Sequence, residues 1–418
     1  MNERAARTGL RGGASIAVAM GVMNIATYGY TVAAAHLIGP DAFGAFSALM
    51  GVLLVVNVVS LGLQATGARR IAADPEHVET IERLVLGVSV RSALALGALC
   101  LLLAPLLDWV LKLNSLPTAM MVAFAAAPLT LMGGQAGILQ GERRWEPLAL
   151  IYLVQGVGRV ACGLGLMIIW PTEFSAVLGV TLGCWLPVIV GAVALRSPRP
   201  DVSATDVHVS RVDLLREVGT SAQALLAFFA LSNADILLAR AVLDSGVAGL
   251  YAGGLILVKA ILFLPQFVVV MAFPSMSTRG ASRSTLAKSL AVALGLGACG
   301  LAGTLLLPDL ALVFVGGSDF AGIQDRLWLF AIVGTLLSMI QLLLYSVLAR
   351  QQLSSVLMIW TALALLLAGG TAVHSVTGLV TLVCVIDGLL FLGLLISAWL
   401  TPTVRVDEPQ DETESAQA

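Results

Sequence analysis

Six ionisable side chains stand inside otherwise apolar stretches of this chain: Arg91, Arg159, Asp235, Arg240, Lys259 and Asp387. A charge at mid-bilayer costs at least about 2.5–3.5 kcal/mol on insertion scales, so each is expected to face a cavity or a partner. Arg159 and Lys259 fall near the centres of their stretches. Opposed across the lobes, the two are suited to a phosphate or pyrophosphate, which a guanidinium can grip through two parallel hydrogen bonds. Asp235 closes the run Leu231-Ser232-Asn233-Ala234-Asp235. There a carboxylate beside an amide and a hydroxyl could coordinate Na⁺ or carry a proton, with Asp387 as a second carboxylate. The competing expectation is a resting ion pair between Asp235 and Lys259, read as lying at similar depth on consecutive antiparallel helices. Arg240, at the end of its stretch, is expected to snorkel to the interface, and Arg91 has partial reach to one as well.

The elements that must position these groups are long apolar helices. Hydrophobic residues make up 58% of the 418 and charged residues 11%, and the mean hydropathy is +0.96. A bilayer core takes about 20 apolar residues per helix, and the backbone amides there must be satisfied within the helix. Twelve such spans are predicted, at 14–37, 42–66, 84–111, 117–140, 148–170, 174–195, 218–241, 246–272, 286–315, 326–349, 355–375 and 377–400. The fold class is therefore an all-α polytopic membrane protein. The first span is too long for a cleaved signal peptide. A polar interruption at 196–217, with Pro198 and Pro200, separates an N-lobe (14–195) from a C-lobe (218–400). A basic tail (1–13) and an acidic, disordered tail (401–418) complete the expected layout.

Shifted by 205 residues, Phe43-Gly44-Ala45-Phe46 falls on Ala248-Gly249-Leu250-Tyr251, which suggests a duplication. Six spans per lobe give both lobes one orientation, related by a pseudo-two-fold axis along the membrane normal, with substrate between them near the midplane. Lys and Arg cluster on the side of the N-terminus (Arg69, Arg70, Arg83, Arg143, Arg144 and Arg196 among them). The opposite side has Lys112 and Arg326 against Asp41, Asp108, Glu173, Asp244, Asp309, Asp319 and Asp325. Both termini are therefore expected to be cytoplasmic.

No phosphate-binding loop of the GxxxxGK[ST] type occurs, which excludes power from ATP bound within this chain. The loops on the acidic side are short, and Asp309, Asp319 and Asp325 read as solvated carboxylates, so an enzyme is not expected. Cys100, Cys162, Cys184, Cys299 and Cys384 lie in apolar spans without CxxC spacing and read as small core hydrophobes. The four His are too scattered for a metal site. No cofactor is expected beyond a coupling Na⁺ or proton, and no nucleic-acid partner.

Several segments carry a family resemblance. They are Leu37-Ile-Gly-Pro-Asp-Ala-Phe-Gly-Ala-Phe, Gly62-Leu-Gln-Ala-Thr-Gly-Ala-Arg-Arg-Ile-Ala, Gly137-Ile-Leu-Gln-Gly-Glu-Arg-Arg-Trp-Glu-Pro, Asn233-Ala-Asp-Ile-Leu-Leu-Ala-Arg, Val247-Ala-Gly-Leu-Tyr-Ala and Phe273-Pro-Ser-Met-Ser. In order and spacing they resemble polysaccharide-biosynthesis membrane proteins, the oligosaccharide flippase branch of the multidrug/oligosaccharidyl-lipid/polysaccharide exporter superfamily. The resemblance implies a MATE-like alternating-access flippase in the bacterial cell membrane. It would move undecaprenyl-diphosphate-linked oligosaccharide to the outer leaflet for surface or exopolysaccharide synthesis, alongside membrane lipids and, as partners, a polysaccharide polymerase and glycosyltransferases. Arg91, Arg159 and Lys259 match the family's cavity cations by type and depth. Asn24, Tyr28 and Tyr30 stand in the first helix, where the multidrug antiporters place an acid. Two other readings stay open: a multidrug or small-metabolite cation-coupled antiporter of the same fold, and a non-transporting subunit of a polysaccharide assembly complex.

Overall fold

The computed structural model describes residues 3–196, 211–263, 282–350 and 353–400. Phe273-Pro-Ser-Met-Ser, most of the expected 196–217 linker and the 401–418 tail lie outside them. The described helices are α1 (Glu3–Val56), α2 (Val58–Ala73), α3 (Val78–Val110), α4 (Leu116–Gly141), α5 (Trp145–Ile169), α6 (Glu173–Leu195), α7 (Arg211–Val242) and α8 (Ser245–Phe263). They continue as α9 (Ser282–Leu306), α10 (Pro308–Val315), a 3₁₀ segment (Ser318–Arg326), α11 (Leu327–Arg350), α12 (Leu353–Gly370) and α13 (Val376–Leu400). Helix starts at Glu3 and Arg211 precede the expected span edges at 14 and 218. Apolar content bounds the bilayer core, whereas the helix continues into polar residues.

One stretch, Ser15–Ala73, is 59 residues long; straight, it would reach about 90 Å at 1.5 Å per residue. It doubles back instead. Gly39 adopts φ 73° and ψ 170°, and Pro40 follows in a position suited to the first turn of the returning helix. The reversal brings the Tyr30 and Phe46 rings to 5.8 Å, edge to face. The expected spans 14–37 and 42–66 are thus two crossings joined at Gly39-Pro40.

Helices α1–α6 pack mainly on one another, as do α7–α13, and α1 and α2 meet α7 and α8 along the seam between the groups. Lipid tails are as apolar as leucine, so close backbone approach and hydrogen bonding drive association of membrane helices. Small residues mark those approaches. A Cβ at Gly44 would sit 2.9 Å from the Gly249 Cα across the seam, and one at Gly183 would sit 2.8 Å from the Arg159 Cα between α6 and α5. Large apolar side chains face outward: Leu94 (69% exposed), Leu102 (79%), Trp109 (78%) and Ile168 (73%). That is the pattern of helices solvated by lipid.

Candidate functional site

In the first group the polar groups gather on one face of α5. Tyr152, Gln155 and Arg159, at i, i+3 and i+7, share a helix face, away from the exposed Leu150, Val157 and Ile168. At the basic end of this stripe, Gln64 of α2 donates through Nε2 to the Tyr152 hydroxyl (2.7 Å) and to Gln140 Oε1 of α4 (2.9 Å). At the other end, Arg159 lies beside the Cys184 thiol of α6 and within electrostatic reach of Tyr30 of α1. Tyr30 itself is held by donation to the Ala176 carbonyl (2.7 Å). The Arg159 Nε is buried and has no hydrogen-bond partner among the described residues. A buried donor without an acceptor is costly, and it is the Nε alone that is left over, since the side chain also hydrogen-bonds the Cys184 thiol.

In the second group two carboxylates come together. Asp235 of α7 (3% exposed) and Asp387 of α13 (1%) are buried and within electrostatic reach of each other. The Asp235 carboxylate accepts from the Tyr251 hydroxyl (3.1 Å) and from the Ile236 amide (2.8 Å). One Asp387 oxygen, Oδ2, has no partner among the described residues.

Residues 10–279 match the polysaccharide biosynthesis protein family. The chain belongs to that family. No curated protein matches this polysaccharide biosynthesis protein in sequence. Solved structures share its fold at low identity. The lipid II flippase MurJ in an inward closed conformation superposes with a TM-score of 0.73 at 13% identity, over 93% of this chain and 88% of that one. A multidrug resistance MATE transporter of the MOP superfamily, inward-facing, gives 0.66 at 15% over 91% and 94%. A MOP superfamily transporter from Pyrococcus furiosus gives 0.60 at 15% over 94% and 96%. The protein therefore has the MOP-transporter fold and crosses the membrane several times.

The family member's other expected site residues are placed differently. Arg91 is exposed on the flank of α3 that also exposes Leu94 and Leu102, with its guanidinium turned back over Gly87. It is not gathered with Arg159, because the buried face of α3 runs through Val85, Val88 and Ser89. Asn233 lies two residues from Asp235, and helix positions i and i+2 do not share a face. Its amide donates to the Phe229 carbonyl (2.8 Å) and its side chain abuts Gly51 across the seam, so it is not beside the carboxylates.

Asp235 and Lys259 are within electrostatic reach of each other but make no ion pair within 4.0 Å among the described residues. Counted from Leu243 in the intervening turn, Asp235 and Tyr251 each lie eight residues in, whereas Lys259 lies sixteen, about 12 Å deeper than Asp235. Depth alone therefore partners Asp235 with Tyr251.

Arg240 does not snorkel. It is 2% exposed and donates from Nε to Leu111 O (2.9 Å), from Nη2 to Lys112 O (3.1 Å), and from Nη1 to Asp41 Oδ1 (2.9 Å) and Ser245 O (3.3 Å). Turns from both helix groups cover it, so it has protein acceptors where a lone helix end would offer water. Lys112 answers by donating through Nζ to Leu243 O (2.9 Å). At the opposite, basic end, α2 and α7 are joined by Arg69 to Glu217 Oε1 and by Arg70 Nε to Glu217 Oε2 (2.7 Å). Gln64, Gln140 and Tyr152 were not singled out as site residues in the sequence; the one available signal was a tyrosine at i−7 from Arg159.

Proposed function

We propose that this protein is a flippase that carries lipid-linked oligosaccharide, with an undecaprenyl diphosphate head, from the cytoplasmic to the outer leaflet by alternating access. The observation that carries this reading is the buried, unpartnered Arg159 Nε at the end of a polar stripe in an apolar bundle. A diphosphate supplies the acceptor oxygens and the negative charge that the surrounding helices lack. Lys259, half-buried in the second group, is the second cation in this reading. The basic end faces the cytoplasm, following the distribution of Lys and Arg, and puts both termini there. A polymerase and glycosyltransferases are the partners this reading calls for. Deleting the gene should leave lipid-linked glycan on the cytoplasmic leaflet. Normal surface glycan in the deletion strain would overturn the proposal.

Asp235 and Asp387 support a coupled cycle. Two buried carboxylates in mutual reach favour a cation or a proton shared between them; Lys259, in electrostatic reach of Asp235, supplies one charge, and the free Asp387 oxygen offers a ligand position. Na⁺ or a proton taken up there on one side and released on the other would drive the second helix group. Flipping in proteoliposomes should respond to an imposed Na⁺ or proton gradient, and Asp387→Asn should abolish that response. Gradient-insensitive flipping by the wild type would remove the coupling role. The same pair favours a cation-coupled antiporter as the second reading.

A further inference from the structure

The basic-end clasp has a charge imbalance. Arg69 and Arg70 are consecutive on α2, so their side chains leave the helix about 100° apart, yet both reach the one carboxylate of Glu217 on α7. Two cations against one anion leave the clasp a net positive charge, and several guanidinium N–H groups have no partner among the described residues. The groups are partly hydrated: side-chain exposure is 57% for Arg69, 21% for Arg70 and 29% for Glu217. Pairs of this kind are weak and exchangeable. The clasp lies about one and a half turns beyond Gln64 along α2, on the side that meets α7. Gln64, five residues before Arg69 on the same helix, is the first link of the chain Gln64–Tyr152 that leads along α5 to Arg159. Where Gly62 of α2 meets α7, a Cβ would stand 3.0 Å from Val218 Cγ1, so the two helix groups touch just above the clasp.

We infer that Arg69 and Arg70 are a loading site for the diphosphate head of a lipid substrate, and that Glu217 is a resident competitor whose displacement frees the seam at the basic end. This rests on the flippase reading and adds to it a second anion site, distinct from Arg159. A diphosphate carries more negative charge than one carboxylate and enough oxygens to take both guanidinium forks at once. Once the carboxylate of α7 is displaced, the only charged link described between α2 and α7 is gone. The head group then has the stripe through Gln64, Tyr152 and Gln155 ahead of it.

The test measures binding of farnesyl diphosphate, a short lipid diphosphate, to the full-length protein in phosphatidylcholine nanodiscs, with inorganic pyrophosphate and phosphatidylglycerol as competitors. Removing the competitor should tighten binding: Glu217→Gln lowers Kd about three- to fivefold. Removing the receptor should weaken it: Arg69→Gln with Arg70→Gln raises Kd at least about tenfold. Pyrophosphate should compete and phosphatidylglycerol should not. A clasp that only held the fold would shift both variants the same way. Unchanged or weaker binding in Glu217→Gln therefore overturns the inference, and so does displacement by phosphatidylglycerol. If the double variant fails to fold, the Glu217→Gln arm decides alone. Binding that is lost in Arg159→Ala but indifferent to Arg69, Arg70 and Glu217 would overturn the loading site and leave the flippase reading standing. No binding to the wild type would sink both.

Discussion

The two ends of the seam are both tied by arginine, and they are tied very differently. At the acidic end Arg240 is enclosed and spends its donors on the Asp41 carboxylate and on backbone carbonyls from two turns, Leu111-Lys112 and Ser245. Around it the backbones of Gly44 and Gly249 touch, and Phe43 meets Phe320 edge to face at 6.0 Å. At the basic end Arg69, Arg70 and Glu217 are partly open to water. Leaving a buried polar group without its partner costs about 1–3 kcal/mol, whereas an exposed pair contributes about 0–1 kcal/mol. The difference teaches which end yields first. The hydrated pairs at the basic end are the weaker tie, while parting the acidic end leaves the buried Arg240 donors without acceptors.

The largest effect expected from this contrast is on stability. Arg240→Ala should lower unfolding free energy by about 2–4 kcal/mol, because the Leu111 and Lys112 carbonyls lose their donor, while the Asp41 side chain, 68% exposed, turns to water. Glu217→Gln should change it by less than about 1 kcal/mol. Thermal melting of the two variants in one detergent checks the pair, and equal losses would erase the distinction between the ends.

Glycine substitutions give a smaller and independent reading. At Gly249 an added methyl runs into the Pro40 carbonyl, a backbone atom that cannot step aside, so Gly249→Ala should cost about 1–3 kcal/mol as overpacking. At Gly62 the obstacles are the end of the Val218 side chain at 3.0 Å and the Val218 carbonyl at 3.1 Å, both of which a shift of a few tenths of an ångström relieves. Gly62→Ala should therefore cost clearly less than Gly249→Ala in the same melting assay. The reverse order would place the tighter seam at the basic end.

Much of this architecture was legible in the sequence, because lipid imposes a simple rule on composition. Apolar runs near 20 residues mark the crossings, and Gly39-Pro40 marks the reversal between the first two. The depth of Arg159 was also readable, since its neighbours on α5 are apolar to both sides.

Facing was harder to read. Arg91 shares its exposed flank with Leu94 and Leu102, a periodicity available in the sequence but outweighed by attention to charge alone. Counting outward from the turn at Leu243 would have paired Asp235 with Tyr251 and set Lys259 deeper. The i, i+2 spacing would have separated Asn233 from Asp235. Other features had no local signal at all. The enclosure of Arg240 depends on two turns distant in sequence, at Asp41 and at Leu111-Lys112, the link from Gln64 to Tyr152 spans 88 positions, and the clasp from Arg70 to Glu217 spans 147.

The central claim is that Arg159 holds the diphosphate of the transported lipid, and flipping in proteoliposomes tests it most directly. With undecaprenyl-diphosphate-linked oligosaccharide loaded on one face, Arg159→Ala should insert as well as the wild type but flip no faster than protein-free vesicles. Arg159→Lys should recover only part of the rate, since a point charge loses the two-pronged grip on the phosphates. Flipping by Arg159→Ala at the wild-type rate would contradict the account.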